Sequence, residues 1–148
     1  MSKRNILGIC SLLVVLSFFI LSGTLPAVAQ GGALDGKTFT GKLGEKGKKG
    51  DKDEFIFKEG TFESKACEEF GFGSAPYTTT ASGHTTTFKA ETSNDKGGKM
   101  QWEGTVTGIL ISGTTTLYEE GKTPVEYWFK GKMGVEMPKA DMPEAPKY

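Results

Sequence analysis

Arginine is all but missing from this chain: Arg4 is the only one, and every other basic residue is a lysine. The planar fork that holds phosphate or carboxylate in bidentate fashion is therefore absent from the body of the protein. No field of positive charge replaces it, because 18 bases are matched by 18 acids over 148 residues. Both absences exclude nucleic acid as an expected partner. Histidine is nearly missing too, and His84 alone would have to serve every acid–base role. A nucleophilic site would have to use His84, with Cys67 as a conceivable partner that the sequence does not bring to it, and no recognisable catalytic set accompanies them, so the chain does not read as an enzyme. Apolar stretches of helical period are also lacking after the first 29 residues.

Those first residues are distinctive. Lys3 and Arg4 precede an apolar run from Ile6 to Leu21, then Pro26 and a closing Ala27-Val28-Ala29. A charged start, a hydrophobic middle and small residues before the cut are the features of a secretory signal, which predicts a mature chain from Gln30 to Tyr148. Sixteen apolar residues are marginal for a membrane span, so a retained anchor is the weaker reading. The protein is thus expected to be exported, to the periplasm or beyond, without an integral span after processing. Without Lys3 and Arg4 its bases fall to 16 against 18 acids, a net charge of −2. Cys10 goes with the leader, and Cys67 is left with no internal partner. Burial as a small apolar residue is its expected state; exposure or pairing with another chain are the alternatives. One cysteine and one histidine cannot hold a structural zinc, and neither a metal nor any other cofactor is expected.

From Gln30 the sequence is rich in glycine, threonine and aromatics and is punctuated by turn signals at short intervals. This pattern predicts an antiparallel up-and-down meander of eight strands at 37–43, 53–58, 61–65, 76–81, 84–92, 99–106, 109–118 and 125–132. Glu59-Gly60, Ser82-Gly83 and Thr107-Gly108 are taken as two-residue hairpin loops. Folding about them pairs Phe57 with Phe62, Tyr77 with Phe88, Val106 with Ile109 and Trp102 with Gly113, which gathers the apolar side chains on one face. The opposite face carries Glu54, Lys58, Lys89, Glu91, Gln101 and Glu103, as a wet surface should. Trp128 is the misfit on that outer face, predicted to lie under a neighbouring loop or else to mark a contact surface. Gly41, Gly104, Gly113 and Gly131 fall on the inner face, where bare backbone permits strong curvature. A closed all-β barrel of one domain, residues 30–132, follows. Residues 133–148, rich in Met and Pro, read as a flexible tail.

Trp102-Glu103-Gly104-Thr105-Val106 followed by Ile111-Ser112-Gly113-Thr114 resembles the calycin superfamily of lipocalin-like and avidin-like barrels. The resemblance covers residues 35–132 and implies a small barrel able to hold a ligand. The first-strand glycine and tryptophan of lipocalins are replaced by Gly36-Lys37-Thr38-Phe39. No ligand residue is therefore carried over from that family.

The expected function is binding of a small apolar or aromatic ligand inside the barrel, among Tyr77, Phe88, Trp102, Tyr127 and Phe129. Thr79 and Thr115 would supply polar contacts, and His84 would stand at the pocket mouth. The alternative is a structural or interaction protein with a filled barrel that meets an envelope protein partner. Inner glycines favour the cavity; large aromatics favour filling it. The connection from Lys65 to Ala75, with Cys67, Phe70 and Phe72, is too apolar for a plain loop and is predicted to cover one barrel end as a plug or a lid.

Overall fold

The computed structural model describes residues 28–30 and 32–134. The apolar run from Ile6 to Leu21 and residues 135–148 lie outside the described residues, while Met133, assigned to the tail from sequence, is instead the last residue of the final strand and packs against the core. Nine strands are present: β1 (Val28–Gln30), β2 (Lys37–Glu45), β3 (Asp51–Lys58), β4 (Thr61–Ser64), β5 (Ala75–Ser82), β6 (Thr85–Ser93), β7 (Lys99–Thr107), β8 (Leu110–Tyr118) and β9 (Val125–Met133). One short helix, α1 (Lys65–Glu68), follows β4. Strands β2 to β9 each pair antiparallel with the next, and β9 returns to β2 with Phe39 opposite Met133 and Glu45 opposite Tyr127. The result is an eight-stranded closed barrel, as the turn spacing predicted, with strand ends displaced by at most two residues.

Glycine placement sets the register, and two of the three predicted hairpins shift because of it. At Glu59-Gly60 both residues have positive φ, 51° and 75°, the signature of a type I′ turn, and Phe57 faces Phe62 as expected. At the other two hairpins glycine is the first turn residue, not the second. Gly83 and Gly108 have φ of 58° and 59° while His84 and Ile109 are not positive, which is the type II′ pattern. The turns are therefore Gly83-His84 and Gly108-Ile109, and each register moves by two residues. Thr79 faces Phe88, Tyr77 faces Ala90, Val106 faces Ile111 and Trp102 faces Thr115. A slip of two keeps every side chain on its predicted face. It does not keep the partners, so the expected pairings of Tyr77 with Phe88 and of Trp102 with Gly113 are corrected.

The interior is a stack of rings. Phe57 contacts Tyr77 and Phe88 at centroid distances of 5.0 and 4.9 Å, and Phe62 contacts Phe88 and Trp102 at 5.2 and 5.0 Å. Phe129 meets Phe55 at 5.2 Å and Trp102 at 5.5 Å. Each such ring removes from water apolar area worth about 1.5–3 kcal/mol, with about 0.5–1.5 kcal/mol more for a well-placed pair. Room for them comes from paired glycines. Gly104 faces Gly113 across β7 and β8, and a Cβ on Gly113 would lie 2.3 Å from the Glu103 carbonyl oxygen and 2.5 Å from the Phe129 ring. Phe129, not Trp102, covers that bare backbone. On the outside, Trp128 lies beneath the β2–β3 loop, as predicted. Its Nε1–H donates to the Lys48 carbonyl at 3.2 Å, and a Cβ on Gly44 or Gly50 would strike its ring at 3.0 or 2.8 Å.

The two barrel ends differ. All three tight turns lie at one end, which the segment Gly32–Gly36 closes with the buried Leu34. Tyr77 Oη accepts from the N–H groups of Gly32 and Leu34 at 3.0 and 3.1 Å and donates to Asp35 Oδ1 at 2.8 Å. Just before this strap, β1 lies along β5 with Val28 opposite Thr80 and Gln30 opposite Thr78. It extends the row that the four-residue β4 begins, since β4 reaches only Ala75 and Pro76 of β5. The other end carries the longer connections, and there the barrel is open.

Candidate functional site at the open end

Four connections ring the open end: residues 46–50, α1 with residues 69–74, residues 94–98 and residues 119–124. Between them lies a bowl of about 1070 Å³. Its floor is built from inward positions at the ends of strands farthest from the glycine turns: Leu43, Met100, Leu117 and Tyr127, completed by Cys67 and Phe72 from the connection after β4. Cys67, Phe72 and Met100 are buried; the other three are half-buried. The predicted cover is thus neither a simple plug nor a simple lid. Phe72 packs into the core while Phe70, two residues earlier, is 70% exposed at the rim.

A buried carboxylate sets this cover in place. Ser64 begins α1 without a side-chain cap of its own, and Asp53 of β3 does the capping instead. The Asp53 carboxylate accepts from the Ala66 N–H at 2.9 Å, the Ser64 hydroxyl at 2.6 Å and the Glu54 N–H at 2.7 Å. Burial outweighs these donors and pushes its pKa up. The same surroundings push the Cys67 thiol up to about 11, through burial first and the Asp53 charge after it, against a hydrogen bond with Ser64. Cys67 is therefore buried and protonated, as its lack of a partner suggested, and not a reactive thiolate. Asn94 secures the far side of the cover. Its Nδ2 donates to the Phe70 carbonyl at 3.3 Å, and its Oδ1 accepts from Gly98 N–H at 2.8 Å.

Of the predicted ligand residues, only Tyr127 lines the bowl. Phe88, Trp102 and Phe129 are spent on filling the barrel below it, and Tyr77 holds the strap at the closed end. Thr79 and Thr115 are buried in the wall; Thr115 Oγ1, opposite Trp102, has no hydrogen-bond partner among the described residues. His84 is corrected most: as the second residue of a type II′ turn it is exposed at the closed end, far from the mouth. What sequence reasoning missed were Leu43, Phe72, Met100 and Leu117. Their depth was readable in principle, since distance from a glycine turn gives height in the barrel.

Around the rim stand four lysines and five carboxylates. Lys48 pairs with Glu45 at 2.6 Å, and Glu119 pairs with Lys122 at 2.9 Å. Burial raises the pKa of the Tyr127 phenol, and the nearby Glu45 charge adds to the effect. Among the described residues no group of three or more His, Cys, Asp or Glu side chains could hold a metal ion, and no helix is long and apolar enough to cross a membrane. Compared with known proteins, the chain matches no family model, no curated protein and no solved structure.

Proposed function

We propose that the protein is an exported calycin-like barrel that binds a small apolar or aromatic ligand, in the open-end bowl and not among the rings of the interior. One observation carries this reading: Leu43, Leu117 and Tyr127 stay half-exposed over the buried Cys67, Phe72 and Met100 at one end, while the other end is strapped shut. Pockets for small molecules are commonly concave, mostly apolar and of this size. No catalytic group set accompanies the floor, so binding without chemistry is the proposed activity. The filled interior favours a second reading, an envelope interaction protein that uses the mouth, with its exposed Phe70, as a contact surface.

A thermal titration with N-phenyl-1-naphthylamine, an uncharged apolar fluorophore, separates the two. At a hundredfold excess over Kd, binding adds about 2.7 kcal/mol of stability and raises the melting temperature by about 10 °C or more. Leu117→Asp places a charge on the half-buried floor and should abolish both the fluorescence rise and the thermal shift. Failure of the probe and of envelope lipid extracts to move the melting temperature would leave the interaction reading in place.

A further inference from the structure

We infer that the bowl selects an uncharged apolar ligand carrying a hydrogen-bond acceptor, such as a ketone or ester, which the Tyr127 hydroxyl engages. This rests on the ligand-binding reading above and specifies the ligand. Tyr127 is the one floor residue with a strong hydrogen-bonding group, since its companions offer only hydrocarbon, a thioether and a protonated thiol. Its hydroxyl has no partner among the described residues, unlike that of Tyr77, which makes three hydrogen bonds. Tyr127 is half-buried and lines the bowl, and the charged groups Glu45, Glu119 and Lys48 near its phenol line it too.

The sign of the surroundings then selects the partner. At pH 7 the phenol is protonated and can donate its proton, and burial and the carboxylates of Glu45 and Glu119, which raise its pKa, act in the same direction. The same carboxylates oppose an anion at that point, and the rim as a whole, four lysines against five carboxylates, gives an ion of either sign little net attraction. An ionised ligand would lose its hydration over an apolar floor without compensation. A neutral acceptor loses little and gains one hydrogen bond.

Three probes of one shape test this on the full chain at pH 7: 2-acetylnaphthalene, 2-ethylnaphthalene and 2-naphthoate, with Kd measured by fluorescence titration. The ketone is expected to bind tightest, and the carboxylate about tenfold or more weaker than the ketone. Tyr127→Phe should weaken the ketone about tenfold and leave the hydrocarbon within about twofold, as the loss of one hydrogen bond requires. An unchanged melting temperature of the free variant shows that the fold is intact, and Tyr127→Trp, which keeps a donor on a ring, should retain more ketone affinity than Tyr127→Phe. If Tyr127→Phe weakens ketone and hydrocarbon equally, or the carboxylate binds as tightly as the ketone, the assignment of ligand chemistry is overturned while the bowl remains a site. If none of the three binds, the ligand-binding reading itself falls.

Discussion

Asp53 carries its carboxylate where the barrel admits almost no water, and its three donors do not fully replace the lost hydration. Its pKa lies above the ordinary value of 3.8 because the buried charge is penalised, so folding takes up a proton. The sign follows from linkage: stability is fully present below about pH 3.8 and declines as pH rises through the raised folded value, after which the loss is constant. Asp53→Asn keeps an acceptor for the Ala66 N–H and removes the charge. Its stability relative to the parent is expected to improve with pH across that window and then to level off, which urea midpoints at a series of pH values would show. Asp53→Ala should behave differently, losing about 1–3 kcal/mol because the Ala66 N–H and Ser64 hydroxyl are left without their partner. An Asn variant that loses as much stability as Ala at pH 7 would mean that the carboxylate charge itself holds α1.

The strap Gly32–Gly36 is tied to its end of the barrel by the buried Leu34, by the Gly36 N–H to Phe57 carbonyl bond at 2.8 Å and by one hydroxyl, Tyr77 Oη, which accepts two backbone N–H groups and donates to Asp35. Asp35 in turn accepts from the Gly60 N–H in the type I′ turn, at 3.0 and 3.1 Å, so strap and hairpin are one unit. Tyr77→Phe retains the ring against Phe57 but strands those groups, and a loss of about 1–3 kcal/mol is expected. Hydrogen exchange should localise it, with faster exchange at Gly32, Leu34 and Gly60 and no change at the open end. Probe binding in the bowl should be unaltered, because Tyr77 does not line it. The adjoining β1 adds a condition on processing. A cut before Gln30 removes Val28 and Ala29 and leaves only the Gln30–Thr78 pair of this element. A chain shortened in this way would lose the β1 neighbours of Thr79 and Thr80, which stay paired with Phe88 and Thr87 of β6.

Closure belongs to the whole molecule, because β2 and β9 lie at opposite ends of the domain and meet along seven residue pairs. Every other neighbour in the eight-stranded wall is a sequence neighbour, joined locally at little entropic cost. Removing β9 by ending the chain at Tyr118 would expose the edges of both β2 and β8 and uncover Trp102 and Phe55, which pack against Phe129. Open edges of this kind pair with one another. The shortened chain is expected to lose cooperative unfolding and to sediment as species larger than the full chain. A monomer with a sharp thermal transition would show that the hairpins from β2 to β8 form a sheet stable without closure.

The eight strands of the wall, their ends to within two residues and the division into inner and outer faces were legible in the sequence alone, since alternation has a period of two and glycine marks each tight turn, whereas β1 and α1 were not. The buried state of Cys67 and the cover over Trp128 were legible for similar local reasons: a thiol without a partner in an apolar segment, and a large ring on an otherwise polar outer face. Register was legible only to within two residues. A glycine serves equally as the second residue of a type I′ turn or the first of a type II′ turn, and both choices keep the faces intact. That ambiguity gave Gly113 the wrong ring; His84 lies beside its turn in either register, and what removes it from a mouth is the strap Gly32–Gly36, which closes that end. The distinction between a lining residue and a filling one was decided by the tertiary structure. Phe88, Trp102 and Tyr127 share one face in sequence, but Phe88 and Trp102 meet rings from other strands across the barrel axis, whereas Tyr127 stands above that layer at the open end. Only the closed wall brings those strands within contact, so only the closed wall separates core from site.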